Sequence, residues 1–241
     1  MLITIPSFAG ARAGARHFFG TRRGGSGPGP ARAVVSVTQV HGTDVLVLDR
    51  PVDSGQAFDG GWDALVTDQP GVLLTVRTAD CVPVLIHDPV RSVVAAVHAG
   101  WRGAVAGILP KTLAVITRRF GSQPESLRVS IGPSVGACCY EVDEPVLSRL
   151  REAYADWRSL VKDTGAGRAM LDLRGLVLGQ ARSAGVRDER IHPVSLCTVC
   201  HPTLFYSYRR DGEVRGTMVS GIMLAPRRRM AGRRRGKRRA D

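Results

Sequence analysis

The stretch VLLTVRTADCVPVLIHDPVRSVVAAVHAGWRG, residues 72–103, decides how we expect this chain to fold. It contains three short apolar runs rich in β-branched residues, at 72–76, 82–86 and 93–97. Runs of this length and composition are typical of buried strands. The DPVR segment at 88–91 predicts a turn. A helix should follow the last strand, from about residue 104 or 110 to residue 120, with Pro110 either kinking it or lying in its first turn.

Outward from this segment, strand-like runs remain more frequent than helical ones. Further strands are predicted at 34–40, 45–48, 129–131, 204–208 and 214–224. Helical periodicity appears at 143–157 and 171–184. Because strands outnumber helices and do not alternate strictly with them, we expect an α+β fold with a mixed β-sheet core flanked by helices. No repeat or linker divides the chain, so residues 1–226 are predicted to form a single catalytic domain.

The net charge of +13 is concentrated near the end of the chain. Residues 227–241 hold nine Lys or Arg and one Asp, which leaves a net charge of +5 for the rest. This composition predicts a basic, disordered tail. Such a tail could attract nucleic acid without sequence specificity, or it could be a solvated extension with no specific role. We therefore expect nucleic acid as a partner only through the tail.

The composition also bears on location and on cysteine chemistry. No apolar run reaches the roughly 18 residues that a membrane span needs, and the N-terminal region lacks the pattern of a signal peptide. These features predict a cytoplasmic protein with no membrane partner. The cysteines are odd in number, which argues against a disulfide framework and leaves reduced thiols for metal binding or catalysis. They are Cys81, Cys138, Cys139, Cys197 and Cys200.

Three side chains of types that bind metal ions lie where a predicted strand meets a turn containing Gly or Ala. They belong to His41, Cys81 and His98. Strand ends meet at the rim of a sheet, where functional sites are commonly built. Two imidazoles and a thiolate suit Zn²⁺, and three protein ligands leave a fourth position open for water or substrate. The gaps of 40 and 17 residues match no compact zinc motif. On spacing alone, core histidines and a buried thiol are the favoured interpretation.

Two basic loops are candidates for binding a substrate anion. Arg102 lies between Gly100 and Gly103, just before the predicted helix, where free backbone N–H groups and a guanidinium favour phosphate. Arg22 lies in the glycine-rich loop at 20–30 and could bind an anion as well. For both loops, a purely structural turn is the alternative interpretation.

The segment CTVCH at 197–201 matches the pattern of c-type haem attachment and contains the C-x-x-C of redox proteins. We disfavour haem because the chain shows no export signal, and a redox role because no βαβ pattern precedes the motif. We also reject a zinc site that joins this pair to Cys138 and Cys139. Adjacent cysteines are not expected to bind one tetrahedral ion easily.

Several motifs occur together in a characteristic order. QVHG, DALVT, TADCVP and VHAGWRG lie at 39–42, 63–67, 78–83 and 97–103. IGP, CYEV, CT and FYSYRR follow at 131–133, 139–142, 197–198 and 205–210. Over roughly residues 17–225 the chain resembles the YfiH-type purine nucleoside phosphorylase family, formerly called laccase-domain or multicopper polyphenol oxidase proteins.

The resemblance implies one domain with a mixed sheet, of the YfiH or CNF-like cysteine hydrolase type. It implies Zn²⁺ held by His41, Cys81 and His98, which are then the catalytic residues as well as the metal ligands. It also implies phosphorolysis of adenosine, inosine and methylthioadenosine and deamination of adenosine, with a purine nucleoside and phosphate as small-molecule partners. We predict substrate contacts from Arg22, Gln39, Asp80 and Arg102. Asp80, or another carboxylate that the sequence does not place, is the candidate acid or base for deamination.

The chain departs from the family pattern in three places. Only 14 residues separate Gly25 from Gln39, where relatives have a longer stretch. Thr217 replaces an arginine in the late Gly-Arg-Met motif, and Pro110 interrupts the helix after the Trp-Arg-Gly turn. These departures predict altered substrate preference or reduced activity.

Three alternative functions use the same residues differently. A metal-free hydrolase would use Cys81 as nucleophile, His98 as base and His41 to orient the base. A copper-dependent polyphenol oxidase would need clusters of histidines, and the chain has six in all, with only two in the motifs, so copper is less expected than zinc. A degenerate, non-catalytic family member would bind without turnover.

Overall fold

The computed structural model of the protein describes residues 1–9, 14–24, 27, 29–53 and 55–226. The basic tail predicted at 227–241 lies outside the described residues. Within the described ranges, none of the helices combines the length and the apolar composition needed to cross a bilayer.

The described residues form fourteen strands and six α-helices. In chain order the strands are β1 (Leu2–Ile3), β2 (Ala15–Gly20), β3 (Ala33–Val35), β4 (Val45–Leu48), β5 (Ala64–Thr67), β6 (Val72–Thr78), β7 (Val82–Asp88), β8 (Val93–Ala99), β9 (Arg128–Ile131), β10 (Glu141–Val142), β11 (Val161–Gly165), β12 (Arg168–Leu171), β13 (Ile191–Pro193) and β14 (Met218–Leu224). The helices are α1 (Pro6–Ala9), α2 (Trp101–Val105), α3 (Ile108–Phe120), α4 (Glu144–Ala153), α5 (Leu173–Ser183) and α6 (Tyr208–Asp211).

The central layer is a six-stranded sheet in the order β13-β9-β7-β8-β5-β4. The β13–β9 and β4–β5 pairs are parallel and the other pairs are antiparallel. Every residue of β5, β7 and β8 is buried. A strand covered on both faces has no polar face, which is why these segments read as continuous apolar runs in the sequence.

A second sheet and a helical layer cover the two faces of the central sheet. The second sheet has the order β1-β2-β14-β6-β3, and its residues Leu74 and Ile222 pack against Leu85 and Ala96 of the central sheet. On the opposite face, α2, α3, α4 and α5 pack over Val84, Ile86 and Val97. A small third sheet, β10-β12-β11, lies beside these helices. The arrangement confirms the predicted α+β fold with mixed sheets flanked by helices.

The strand predicted at 214–224 begins only at Met218. Three other predicted elements differ more clearly from the observed ones. The strand predicted at 34–40 ends at Val35, and residues 36–40 form the loop that leads to His41. The strand predicted at 204–208 was wrong, because the FYSYRR segment forms a loop and then α6, whose N-cap Ser207 accepts a hydrogen bond from Arg210 N–H. The helix after residue 100 is split in two by Gly107, which adopts a left-handed conformation (φ 85°), so Pro110 lies in the first turn of α3.

Candidate metal centre and its cavity

Two of the three predicted ligands are brought together by the pairing of β7 with β8. His98 lies opposite Pro83 and Ala99 lies opposite Val82, so Cys81, one residue before β7, faces the end of β8. The turn from β6 to β7 is tight, and Asp80 adopts a positive φ of 95° in it. Such strain in a non-glycine residue is maintained only where the surrounding structure requires it.

His41 reaches the same place from a loop, again with a positive φ, of 61°. The Asp63 carboxylate holds this loop, since its Oδ1 accepts from His41 N–H at 3.0 Å and its Oδ2 accepts from Gly42 N–H at 2.6 Å. The Gln39 side chain pairs with the backbone N–H and C=O of Arg77, at 2.8 Å each. The loop is therefore fixed from both sides of His41.

Asp63 also fixes the ring of His98. The Asp63 Oδ1 lies 2.7 Å from His98 Nδ1, and both side chains are buried. A carboxylate on one ring nitrogen sets the tautomer and leaves Nε2 available as a ligand atom. Burial acts to lower the pKa of His98, but hydrogen bonds with Asp63 and Cys81 outweigh it and raise that pKa to about 9.

The three ligand atoms converge. Cys81 Sγ lies 3.8 Å from His41 Nε2, the rings of His41 and His98 are 4.8 Å apart, and all three candidate ligand atoms lie within 4.8 Å of one another. Zinc bonds of about 2.0–2.3 Å in a tetrahedron place ligand atoms roughly 3.5 Å apart. Burial acts to raise the pKa of Cys81, but hydrogen bonds with His41 and His98 lower it to about 7, which favours the thiolate that a metal binds.

These side chains lie in the wall of a cavity of about 620 Å³, a volume typical of small-molecule sites. Three guanidinium groups border it. Arg102 stacks on the Trp101 ring, with 4.5 Å to the centroid, and Arg209 lies 5.1 Å from the Tyr140 ring centroid. Arg77 is the residue before the last of β6. The polar side chains of Gln39, Asp80 and Tyr208 also line the cavity. The remaining lining residues are apolar or small: Val37, Thr78, Ala79, Val135, Leu173, Val214 and Thr217.

A family model of multi-copper polyphenol oxidoreductase laccases matches residues 16–225, nearly the whole described chain. The chain belongs to this family. The resemblance found in the sequence is thereby confirmed.

Relatives of this laccase-family chain carry names from nucleoside chemistry. The chain is 36% identical over 203 residues to a protein named purine nucleoside phosphorylase YlmD of Geobacillus stearothermophilus, covering 80% of this chain and 73% of that one. It is 33% identical over 195 residues to a protein named adenosine deaminase RL5 from an unknown prokaryotic organism, covering 78% of this chain and 74% of that one. The crystal structure of the hypothetical protein YfiH from Bacillus licheniformis matches with a TM-score of 0.78 at 30% identity, covering 87% and 92%.

Of the four predicted substrate residues of this laccase-family chain, three line the cavity and one does not. Arg102, Gln39 and Asp80 line the cavity. Arg22 is not among the lining residues, and it donates to Pro202 C=O at 2.8 Å and lies over the Tyr206 ring. Asp80 directs its oxygens to Thr198 Oγ1, Ser207 Oγ and Arg209 N–H, at 2.5, 3.0 and 2.6 Å. Its carboxylate therefore ties the 198–209 segment to the turn that carries Cys81.

Sequence reasoning did not predict several of the cavity residues, among them Arg77, Arg209 and Tyr140. Arg209 and Tyr140 belong to motifs that carried the family resemblance, FYSYRR and CYEV, and an arginine in such a motif was the available signal. No local sequence pattern marks Arg77 as a cavity residue. Its place beside the cavity depends on the loop whose Gln39 side chain is hydrogen-bonded to the Arg77 backbone.

The structure bears on one exclusion made from sequence, that of a metal site formed by four cysteines. The Sγ atoms of Cys138, Cys139, Cys197 and Cys200 all lie within 4.8 Å of one another. The exclusion rested on the expectation that adjacent cysteines do not easily bind one tetrahedral ion, and the distances between these sulfur atoms do not prevent it here.

Proposed function

We propose that this protein is a zinc-dependent purine nucleoside phosphorylase that acts on adenosine, inosine and methylthioadenosine and also deaminates adenosine. The observation that carries the proposal is the convergence of His41, Cys81 and His98 in the wall of a cavity bordered by three arginines. The names of the relatives support the same chemistry.

The residues present fit zinc better than copper. His41, Cys81 and His98 Nε2 give a borderline-soft donor set with room for one more ligand. A blue-copper centre adds a long axial thioether, and no methionine of the described residues lines the cavity. When bound, Zn²⁺ supplies a Lewis acid that polarises oxygen and lowers the pKa of a bound water to about 7.

The arginines supply the phosphate site. Within the described part of the chain, Arg77, Arg102 and Arg209 form none of the observed salt bridges, so their charge is available to an anion. Arg102 and Arg209 are oriented by the rings beneath them, which limits the freedom they lose on binding. Phosphate held here would be positioned to attack the ribose carbon as its bond to the base breaks, and its negative charge would stabilise the positive charge that develops on the ribose.

The nucleoside would occupy the apolar part of the cavity. Trp101 and Tyr140 offer aromatic surface, and Val37 and Leu173 offer aliphatic surface. Burial raises the pKa of Tyr140 to about 12, and the nearby Cys81 adds to the effect. The phenol therefore keeps its proton at neutral pH and can donate a hydrogen bond to the base or to phosphate.

Release of free base and of ammonia from adenosine, with and without phosphate, tests the proposal on the zinc-loaded protein. We expect phosphate-dependent adenine release that is lost in Cys81→Ala and His41→Ala. His192→Ala is the matched control, because His192 is a half-buried imidazole outside the cavity, and it should retain turnover. Zinc-loaded protein that turns over no purine nucleoside would refute the proposal and direct attention to the departure at Thr217, which lines the cavity.

The metal-free hydrolase is a second candidate, favoured by the pKa of about 7 at Cys81. In that reaction Cys81 attacks an acyl carbon as a thiolate while His98 holds a proton for the leaving group. Hydrolysis that survives complete removal of metal by a chelator would select this candidate. Oxidation of a phenol by copper-loaded protein, without nucleoside turnover, would select the copper oxidase instead.

A further inference from the structure

Four thiols that the proposed reaction does not use meet outside the cavity. Cys138 and Cys139 lie in a turn between β9 and β10, and Cys197 and Cys200 lie in a turn after β13. None of the four lines the cavity described above. The two turns are about 60 residues apart in sequence, so their meeting is a tertiary contact.

Backbone hydrogen bonds hold the two turns side by side. Ser134 N–H donates to Leu196 C=O at 3.3 Å, and Thr198 N–H donates to Ser134 C=O at 3.0 Å. Cys139 N–H closes the first turn onto Gly136 C=O at 2.9 Å. This tight turn lets both adjacent cysteines face the second turn, which an extended backbone would prevent because successive side chains would point to opposite sides.

The spacing of the sulfur atoms matches a tetrahedral metal site. Cys200 Sγ lies 3.6 Å from Cys138 Sγ and 3.4 Å from Cys139 Sγ, and all four atoms fall within 4.8 Å of one another. A zinc ion with Zn–S bonds of about 2.3 Å separates its ligand atoms by about 3.8 Å. Two disulfides would pair the atoms instead of gathering all four around one centre.

The surroundings of Cys197 also suit a thiolate. Gly136 N–H points at Cys197 Sγ at 3.3 Å, a contact that stabilises negative charge on sulfur. A Cβ on Gly136 would lie 3.2 Å from Cys138 Sγ and 3.2 Å from Cys197 Cβ, so the close approach of the two turns favours glycine here. Cys197 is buried, and Cys138 and Cys200 are exposed enough for an ion to enter.

We propose that Cys138, Cys139, Cys197 and Cys200 bind one Zn²⁺ through four thiolates, as a structural site separate from His41, Cys81 and His98. Four protein ligands leave no open position, so this ion would tie two loops together and take no part in chemistry. The proposal does not depend on the proposed function.

The loops that the ion ties together reach the cavity from outside. Tyr140 follows Cys139 directly and lines the cavity. Thr198 lies between Cys197 and Cys200 and donates to Asp80, the residue before Cys81. A zinc ion at the four cysteines would therefore fix the positions of Tyr140 and Asp80.

Zinc content of the full chain, purified and measured with a reductant present, tests the proposal. The wild-type chain should hold two zinc ions, Cys81→Ala one, and Cys138→Ser with Cys200→Ser one. X-ray absorption at the zinc edge of Cys81→Ala, in which only the second site remains intact, should show four sulfur neighbours at about 2.3 Å.

The Cys81→Ala measurement does not depend on whether the Cys138→Ser, Cys200→Ser chain folds, because it leaves all four cysteines in place. Removing zinc from Cys81→Ala should also lower its melting temperature. The proposal is overturned if reduced Cys81→Ala binds no zinc at micromolar free zinc. It is equally overturned if the bound zinc has nitrogen or oxygen among its nearest neighbours.

Discussion

Strand β7 has three ligand-type side chains gathered near each of its ends. His41, Cys81 and His98 lie where the strand begins, and His17, His87 and His192 lie where it ends. Among the described residues, only the first of these trios converges closely enough to hold an ion, the four-cysteine group being the other such set. The two ends differ in what separates the side chains.

At the far end an aromatic ring lies among the histidines. The Phe8 ring centroid is 4.7 Å from that of His17, 6.4 Å from that of His87 and 6.1 Å from that of His192. His17 Nε2 accepts from Ile5 N–H at 3.0 Å, and neither nitrogen of His87 has a hydrogen-bond partner. These rings pack as core side chains rather than as ligands.

The carboxylates at the two ends also point differently. Asp63 accepts from His98 Nδ1 and from the loop of His41. Asp88 follows His87 in sequence, but its Oδ1 accepts from Val90 N–H at 2.8 Å and so closes a turn. A buried histidine with a carboxylate partner becomes a charged or metal-binding group, whereas one without a partner is kept neutral.

The pKa values follow this difference. The pKa of His98 is raised to about 9, with burial opposed by its hydrogen bonds. Burial lowers the pKa of His17 and His87 to about 4 each, with His192 adding to the effect at His17 and Arg128 at His87. Burial is nearly complete for all three, so the partner rather than the burial decides the direction.

Gly100→Ala should disrupt the group of ligand side chains where β7 begins, and we expect the largest effect from this substitution. A Cβ there would lie 2.6 Å from His41 Cδ2 and 3.1 Å from Cys81 Sγ, so the ligands must move apart. We expect nucleoside turnover to fall at least about 100-fold, because displacements near 1 Å at a reacting centre cost that much. Gly179→Ala in α5, where a Cβ meets nothing within 4 Å, is the control and should be neutral or slightly stabilising. Unchanged kcat/KM in Gly100→Ala would contradict the assignment of this end as the site.

Asp63→Asn should weaken the hydrogen bond to His98 Nδ1. His98, where β7 begins, would then resemble the histidines where β7 ends, which have no carboxylate hydrogen-bond partner among the described residues. Loss of such a partner typically lowers metal affinity or activity about 10- to 100-fold. Competition with a chromogenic chelator measures the affinity, and the four-cysteine group of the same chain is expected to keep its zinc. Asp172→Asn is the control, because Asp172 caps α5 and asparagine caps helices equally well. Equal zinc affinity in Asp63→Asn and Asp172→Asn would show that Asp63 does not tune the site.

His87→Leu tests the histidines where β7 ends, and we expect the smallest effect from this substitution. The pKa of His87 is about 4 in the folded chain, whereas an unperturbed histidine has a pKa of 6.5, so the unfolded chain binds more protons between these two pH values. Its contribution to stability is fully present above pH 6.5 and is lost as the pH falls toward 4. Relative to wild type, His87→Leu should therefore gain about 1–2 kcal/mol of unfolding free energy between pH 7.5 and pH 5.

Urea unfolding of metal-free protein at the two pH values measures this gain. Metal-free protein is used because acid also releases zinc, which would confound the result. His192→Leu is the control, since His192 is only half-buried and should show a smaller gain. A pH-independent difference between wild type and His87→Leu would show that His87 titrates alike in the folded and unfolded chains.

Much of the fold could be predicted because each central strand corresponds to a local run of apolar residues in the sequence. The apolar runs at 72–76, 82–86 and 93–97 became β6, β7 and β8, each slightly longer than predicted. A strand was predicted for the FYSYRR segment because aromatic residues favour strands. The segment instead contains a short helix that Ser207 caps. The small sheet of β10, β11 and β12 was missed, since its strands are short and β11 is polar and exposed.

The sequence by itself determined which side chains could serve as ligands, and the motif order placed them in a family. Only the tertiary structure decided which of them meet. The pairing of Asp63 with His98 and the junction of Cys138 and Cys139 with Cys200 each follow from the register of paired strands and the geometry of turns. Asp80 likewise bonds to Thr198, 118 residues away. Such contacts leave no local pattern, because a side chain's own neighbours in sequence fix its conformation but not its distant partner.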